Sequence, residues 1–187
     1  MTMNASLLSD RLWPMTGSTA LRNAVLAVAG SLLVALAAQV NVPMLPVPMT
    51  LQTLAVLAIG AAYGSRLGAA TLALYALEGA IGLPVFAEFK SGVMLASFGY
   101  VLGFIAAAYV VGLLAERGWD RTVPKMFAAM LLGAAVVYVP GLLWLSGWIG
   151  FEKAVQFGLL PFIAGDAVKA GIAALGFPAI WALLGRR

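Results

Sequence analysis

Six apolar runs, separated by short breaks rich in proline, glycine or charge, follow one another along almost the whole chain. Most are just long enough to cross a hydrocarbon core of about 30 Å as helices, at about 1.5 Å of rise per residue. Backbone polar groups must be satisfied internally in lipid, so such runs predict an all-α integral membrane protein, a single domain with six transmembrane helices. The predicted spans are 23–40, 47–64, 67–83, 98–115, 126–145 and 157–184.

The composition supports a place in the lipid bilayer and argues against several classes of function. Of 187 residues, 63% are hydrophobic and 10% are charged, and the mean hydropathy is +1.02, which ordinary soluble domains do not reach. The chain has no His and no Cys, so the commonest general base, metal ligand and redox group are missing. We therefore expect no cofactor, no metal site and no enzymatic activity. The net charge of +4 comes from cations at the ends of the runs, which fits a membrane surface better than nucleic acid.

Lysine and arginine are distributed unevenly between the two sides that six spans would create. Eight fall on one side and two on the other: Arg11, Arg22, Arg66, Arg117, Arg121, Lys125, Arg186 and Arg187 against Lys90 and Lys153. Cytoplasmic connections carry the excess of such residues. The pattern predicts a multi-pass protein of the bacterial inner (cell) membrane with both termini in the cytoplasm.

Two charged residues, Asp166 and Lys169, interrupt the last run, and Glu78 interrupts the third. An i, i+3 spacing places Asp166 and Lys169 on one helical face, and all three lie at estimated depths of roughly 8 to 13 Å from the outer surface. Charged groups in lipid are costly, so we expect these three to face the bundle interior or a cavity that opens outward. A buried ion pair that only fixes helix packing is the alternative, but two acids for one base favour a ligand site.

Several uncharged or outer residues are further candidates for ligand binding. Thr50 and Gln52 offer a hydroxyl and an amide at the outer mouth, although capping and backbone hydrogen bonds would also explain them. Tyr75 shares a helical face with Glu78, and Tyr100 is a weaker candidate of the same kind. Lys90, in a connection that could act as a lid, is the nearest cation for an anionic ligand group, unless it is simply solvated.

Small residues recur along one face of the first run, at Ala27, Ser31, Ala35 and Ala38. Such a face allows helices to approach closely. It can pack inside the bundle or present a docking strip to a partner membrane protein.

Four stretches carry a resemblance to a known family: VPMTLQTLAVLAIG with YGSRLGAATLALY (47–75), EGAIGLPVFA (78–87), FGYVLGF (98–104) and PFIAGDAVKA (161–170). Through them the chain, from about Asn41 onward, resembles the BioY family, the biotin-specific S-components of energy-coupling-factor (ECF) transporters. The resemblance implies an S-component-like bundle of six helices that captures biotin at the outer face. It also implies two kinds of partner, a transmembrane T-component and two ABC-type ATPases.

The family's motifs can be carried onto individual residues. Its GD..K motif falls on Gly165, Asp166 and Lys169, and its Pro-x-T-x-Q motif falls on Pro48, Thr50 and Gln52. The resemblance implies that Asp166 accepts from the ureido nitrogens of biotin, that Lys169 donates to the carbonyl oxygen, and that Lys90 lies near the carboxylate tail. It further implies that the face of Ala27, Ser31, Ala35 and Ala38 meets the T-component. An S-component for another vitamin and a non-transport structural subunit are the remaining alternatives.

Overall fold

The structure is a computed structural model that describes residues 7–13 and 18–185. Within these residues the chain forms eight α-helices, one two-stranded ribbon and two short 3-10 turns, at Ala87–Phe89 and Trp119–Arg121. The helices are α1 (Leu8–Leu12), α2 (Thr19–Gln39), α3 (Gln52–Tyr63), α4 (Ser65–Ala80), α5 (Phe98–Ala115), α6 (Val123–Ile149), α7 (Phe151–Gly158) and α8 (Phe162–Leu184). Arg186 and Arg187, which enter the topology prediction, lie outside the described residues.

The helices confirm the all-α prediction, but their lengths do not by themselves give six spans. In the described part of the chain, four helices are long and apolar enough to cross a membrane: α2, α5, α6 and α8. The other two predicted spans contain α3 with 12 residues and α4 with 16 residues. At about 1.5 Å per residue these helices are about 18 and 24 Å long, shorter than a hydrocarbon core of about 30 Å.

Two helix ends differ from the predicted spans because of proline and the backbone around it. The second span was expected from residue 47, whereas α3 begins at Gln52. The proline-containing stretch before it is extended, and within it β2 (Met49–Thr50) pairs antiparallel with β1 (Asn41–Val42). The last run, expected from residue 157, is split between α7 and α8. Leu159 leaves the helical conformation with φ −126° and ψ −61°. Pro161, which has no N–H to donate, is the N-cap residue that immediately precedes α8.

The centre of the bundle is α5, which packs against α3, α4 and α6. At its crossing with α3, a Cβ atom on Gly60 would lie 2.6 Å from the carbonyl oxygen of Ala108. The two backbones are therefore closer than any side chain on residue 60 would allow. Small residues at helix contacts are typical of membrane bundles, where helices associate mainly by close packing.

The small face of α2 is turned into the bundle rather than outward. Ser31 and Ala38 are 0% exposed, and Ala27 and Ala35 are half-buried, because α2 packs on α4 along this face. The docking prediction is therefore wrong for Ser31 and Ala38, and the internal-packing alternative describes them. The outward side of α2 instead carries larger apolar residues, namely Leu21, Val25, Val28, Leu32, Leu33 and Leu36.

Candidate binding site

A cavity lies among α3, α5, α6 and α8, beside the ribbon and the connection that precedes α5. Its empty volume is about 580 Å³, including the mouth that opens to solvent. One part of the wall is polar and the other is apolar, as expected of a site that orients a small molecule and buries its hydrocarbon part. The polar residues are Thr50, Gln52, Thr53, Ser97, Tyr100, Tyr138, Asp166 and Lys169, and the apolar ones are Val47, Pro48, Phe86, Ala87, Val101, Phe104, Val137 and Phe162.

Asp166 and Lys169 form an ion pair in this wall. Lys169 Nζ lies 3.0 Å from Asp166 Oδ1, and the side chains are 12% and 8% exposed, respectively. The i, i+3 spacing on α8 brings the two groups together, as the sequence predicts. The two charges lie within one helix, so their ion pair does not by itself hold two helices together.

Two further side chains, neither of them predicted from the sequence, complete this polar cluster. Thr53 on α3 accepts a hydrogen bond from Lys169 Nζ at 2.7 Å and donates to Asp166 Oδ1 at 3.3 Å. Tyr138 on α6 donates its hydroxyl hydrogen to Asp166 Oδ2. The cluster therefore connects α3 and α6 to the charged pair of α8, and it places three hydrogen-bonding groups around one carboxylate.

A second hydrogen-bonded row runs from the cavity mouth into the bundle. Thr50 donates to Gln52 Oε1 at 3.1 Å, Gln52 Nε2 donates to the Tyr75 hydroxyl at 2.6 Å, and Tyr75 donates to the Val85 carbonyl at 2.9 Å. Thr50 and Gln52 line the cavity, whereas Tyr75 lies behind Gln52 and is 0% exposed. Tyr75 thus orients a cavity residue and is not itself part of the wall.

The connection before α5 covers one side of the cavity and is anchored at Phe86. This ring is 2% exposed and packs edge-on against Tyr75, with centroids 5.5 Å apart. Gln39, the last residue of α2, donates to the Phe86 carbonyl at 3.1 Å and accepts from the Phe89 N–H at 3.2 Å. Between these bonds, Glu88 and Phe89 adopt left-handed φ values of 58° and 56°, which are uncommon for residues other than glycine. Gln39 thus holds a strained turn over the site.

The remaining predicted ligand residues occupy different places. Tyr100 lines the cavity, and its hydroxyl donates to the Gly158 carbonyl at 2.9 Å. The structure does not bring Glu78 and Lys90 to the cavity wall. Glu78 accepts a hydrogen bond from Ser31 of α2, and Lys90 pairs with Glu88 at 2.5 Å while remaining 55% exposed. Glu78 thus faces the contact between α4 and α2 instead of the cavity, and its prediction as a cavity residue is wrong because α4 turns it toward α2.

Comparison with known proteins agrees with this architecture. The family model described as the BioY family matches residues 7–186. A probable biotin transporter BioY from Pyrococcus horikoshii is 38% identical over 76% of this chain and 86% of that protein. The biotin transporter BioY of Thermotoga maritima is 36% identical over the same shares.

A solved structure with the same fold extends the comparison to three dimensions. The S-component for biotin from an ECF-type ABC transporter superposes with a TM-score of 0.73 at 20% identity, and the match covers 90% of this chain and 95% of that one. This similarity establishes the fold. The match of the family model over residues 7–186 and the relatives more than 30% identical show that the protein belongs to the BioY family.

Proposed function

We propose that this protein is a substrate-binding membrane subunit that captures biotin at the outer face of the membrane for uptake, without a catalytic step of its own. The observation that carries the proposal is the Asp166–Lys169 pair in the wall of a partly apolar cavity. The relatives named biotin transporters indicate which small molecule to test first.

The chemistry of the cavity suits a cyclic urea with an apolar remainder. A urea presents N–H donors beside a carbonyl acceptor, so Asp166 accepts from a nitrogen while Lys169 donates to the oxygen. These bonds are charge-assisted, but the pair is neutral as a unit and fits an uncharged ureido group. The thiophane ring and the hydrocarbon tail of biotin then lie against the apolar wall formed by residues such as Val101, Phe104 and Phe162.

The carboxylate of biotin would extend toward the mouth of the cavity. Thr50 and Ser97 supply hydroxyl groups in the cavity wall. Lys90 is a solvent-exposed cation that would reach the tail only if its ion pair with Glu88 opened. We therefore assign Lys90 a secondary role in the proposal.

Six membrane crossings and cytoplasmic termini complete the proposed arrangement. In this arrangement α3 and α4 cross as a hairpin, and the ribbon of β1 and β2 and the connection before α5 extend them to the outer surface. Because the chain lacks cysteine, single cysteines at Lys153 and Arg66 can be labelled in intact cells with a membrane-impermeant maleimide. Labelling at position 153 and protection at position 66 are expected, and the reverse pattern would contradict the orientation.

The coupling partners belong to the proposal as well: a T-component membrane protein and two ABC-type ATPases. Co-expression and affinity purification of the four chains, followed by uptake of labelled biotin into proteoliposomes with and without ATP, test this part. Uptake by the isolated subunit would show that the ATPases are dispensable.

Isothermal titration of the purified protein with biotin tests ligand binding directly. We expect saturable binding that Asp166→Asn weakens while the protein remains folded, because the side chain keeps its shape but loses its charge. Asp120→Asn is the matched control, since Asp120 is also buried but lies in the turn between α5 and α6. Tight binding of another vitamin with no response to biotin would favour the other-vitamin alternative, and no response to any vitamin would favour a structural subunit.

A further inference from the structure

Tyr138 belongs to none of the quoted motifs and is surrounded in sequence by apolar residues of α6. Its hydroxyl donates to Asp166 Oδ2, and its ring packs edge-on against Tyr100, with centroids 6.4 Å apart and planes at 88°. The Tyr100 hydroxyl donates to Gly158, so it does not compete for Asp166. Tyr138 is thus fixed at the ring by Tyr100 and at the hydroxyl by Asp166.

The hydrogen bonds around Asp166 limit what a ligand can add. An ionised carboxylate has about four acceptor positions, two on each oxygen. Among the described residues, Oδ1 accepts from Lys169 at 3.0 Å and from Thr53 at 3.3 Å, and Oδ2 accepts from Tyr138. One position on Oδ2 therefore stays open.

In the part of the chain that the structure describes, Lys169 likewise keeps one N–H donor without a protein acceptor. An ammonium group has three N–H donors, and Asp166 and Thr53 take two of those of Lys169. The pair consequently offers a ligand one acceptor and one donor. The acceptor on Asp166 can pair with one N–H of a ligand and the donor on Lys169 with one C=O, and a urea presents these two groups side by side.

We propose that Tyr138 is a positioning residue that sets ligand specificity, because it occupies one position on Asp166 Oδ2 and so selects a neutral cyclic urea over a cationic guanidine. The inference rests on the proposed function, since it concerns the ureido end of the same site. A guanidinium binds a carboxylate best through two parallel N–H···O bonds, one to each oxygen. Lys169 and Thr53 already fill Oδ1, so a guanidinium could form two bonds only by placing both N–H groups on Oδ2, and Tyr138 leaves a single position there.

The test compares dissociation constants for biotin and for its guanidine analogue, in which an imino group replaces the ureido oxygen and which is cationic at neutral pH. Tyr138→Phe should weaken biotin binding by up to about tenfold, because the Asp166 carboxylate loses a hydrogen bond that orients it before the ligand binds. The dissociation constant for the guanidine analogue divided by that for biotin should also decrease by at least about threefold. The position that Tyr138 leaves on Asp166 Oδ2 can then accept a second N–H of the guanidinium. Tyr109→Phe, which removes a hydroxyl from a ring of α5 that is 45% exposed, should change neither constant.

Asp166→Asn provides a second, independent readout, because it removes the charge on which Tyr138 acts. Adding Tyr138→Phe to Asp166→Asn should cause little further loss of biotin affinity. An unchanged ratio of the two constants in Tyr138→Phe would overturn the inference, even if both affinities fell, because a general loss of packing would lower them together. A failure of the unaltered protein to bind biotin would instead contradict the proposed function.

Discussion

The hydroxyl of Thr53 lies 2.7 Å from Lys169 Nζ and 3.3 Å from Asp166 Oδ1, so a single side chain of α3 contacts both charges of α8. Thr53 accepts from the ammonium group and donates to the carboxylate, which uses both functions of a hydroxyl. This contact fixes the charged pair relative to α3, the helix that also begins with Gln52.

Thr53→Val should therefore weaken both the fold and the site. The substitution keeps the shape but removes a hydrogen bond to a charged group, for which a loss of about 1.5–3 kcal/mol in the free energy of unfolding is expected. Thr71→Val is the control, because among the described residues the buried Thr71 hydroxyl bonds only to Leu67 of its own helix. Denaturation in detergent and biotin titration measure the two effects, and equal behaviour of both variants would contradict the role of Thr53.

Lys169→Ala should cost more than Thr53→Val. It leaves the carboxylate of Asp166, which is 7% exposed, without its counter-charge, and breaking a buried pair in this way typically costs about 3–5 kcal/mol. The double variant Lys169→Ala with Asp166→Asn should recover part of that stability but not biotin binding. Melting curves with and without biotin separate the two effects. No recovery in the double variant would show that the loss does not arise from the unpaired acid.

Gln39→Ala should release the turn over the cavity without touching the polar cluster. It removes the side-chain bonds to Phe86 and Phe89, while Phe86 keeps its packing in the core. We expect biotin to dissociate several-fold faster in stopped-flow chase experiments, whereas the melting temperature should fall only slightly. Gln156→Ala on the exposed face of α7 is the control. An unchanged dissociation rate would show that the turn does not limit ligand exit.

Gly60→Ala tests the close contact between α3 and α5. The added Cβ would meet the Ala108 backbone at 2.6 Å, and overpacking of this kind typically costs about 1–3 kcal/mol. Gly171→Ala on α8 is the matched control, because a Cβ there would meet nothing within 4 Å. A melting temperature that falls equally in both variants would point to a general effect of alanine rather than to the helix contact.

Asp120, in the turn between α5 and α6, predicts a pH dependence of stability. Its carboxyl is 1% exposed, and burial raises its pKa above the ordinary value, although the Trp181 N–H at 2.5 Å and the nearby Arg121 oppose the change. A raised pKa of an acid stabilises the folded protein at low pH, and this contribution is lost as the pH rises through the raised pKa.

Asp120→Asn cannot titrate, so its melting temperature relative to the unaltered protein should increase between about pH 4 and the raised pKa. The Asn oxygen can still accept from Trp181. Melting curves at several pH values in this range measure the difference. A difference that stays constant or falls as the pH rises would contradict the prediction.

The sequence was sufficient for the charged pair but not for its surroundings. Asp166 and Lys169 are neighbours on any α-helix, so their contact follows from spacing alone. The depth of Glu78 was also estimated from the sequence, yet depth does not specify the direction of a side chain around the helix axis. That direction depends on how α4 packs on α2, which brings Glu78 to Ser31.

Tyr138 and Thr53 were missed for the same reason, because their roles depend on how α6 and α3 are rotated relative to α8. A partial signal existed for Tyr138, since few side chains in 126–145 can form hydrogen bonds. The break between α7 and α8 could have been read from Pro161, which is poorly tolerated inside a helix.

Both members of the charged pair are carried by α8, and this has a consequence for any rearrangement of the bundle during uptake. If α8 shifts or tilts relative to its neighbours, the opposite charges move together and no charge separation in lipid is required. Only the uncharged partners, Thr53 and Tyr138, would have to release their bonds. The electrostatic barrier to remodelling this site is therefore lower than it would be if the two charges were on different helices.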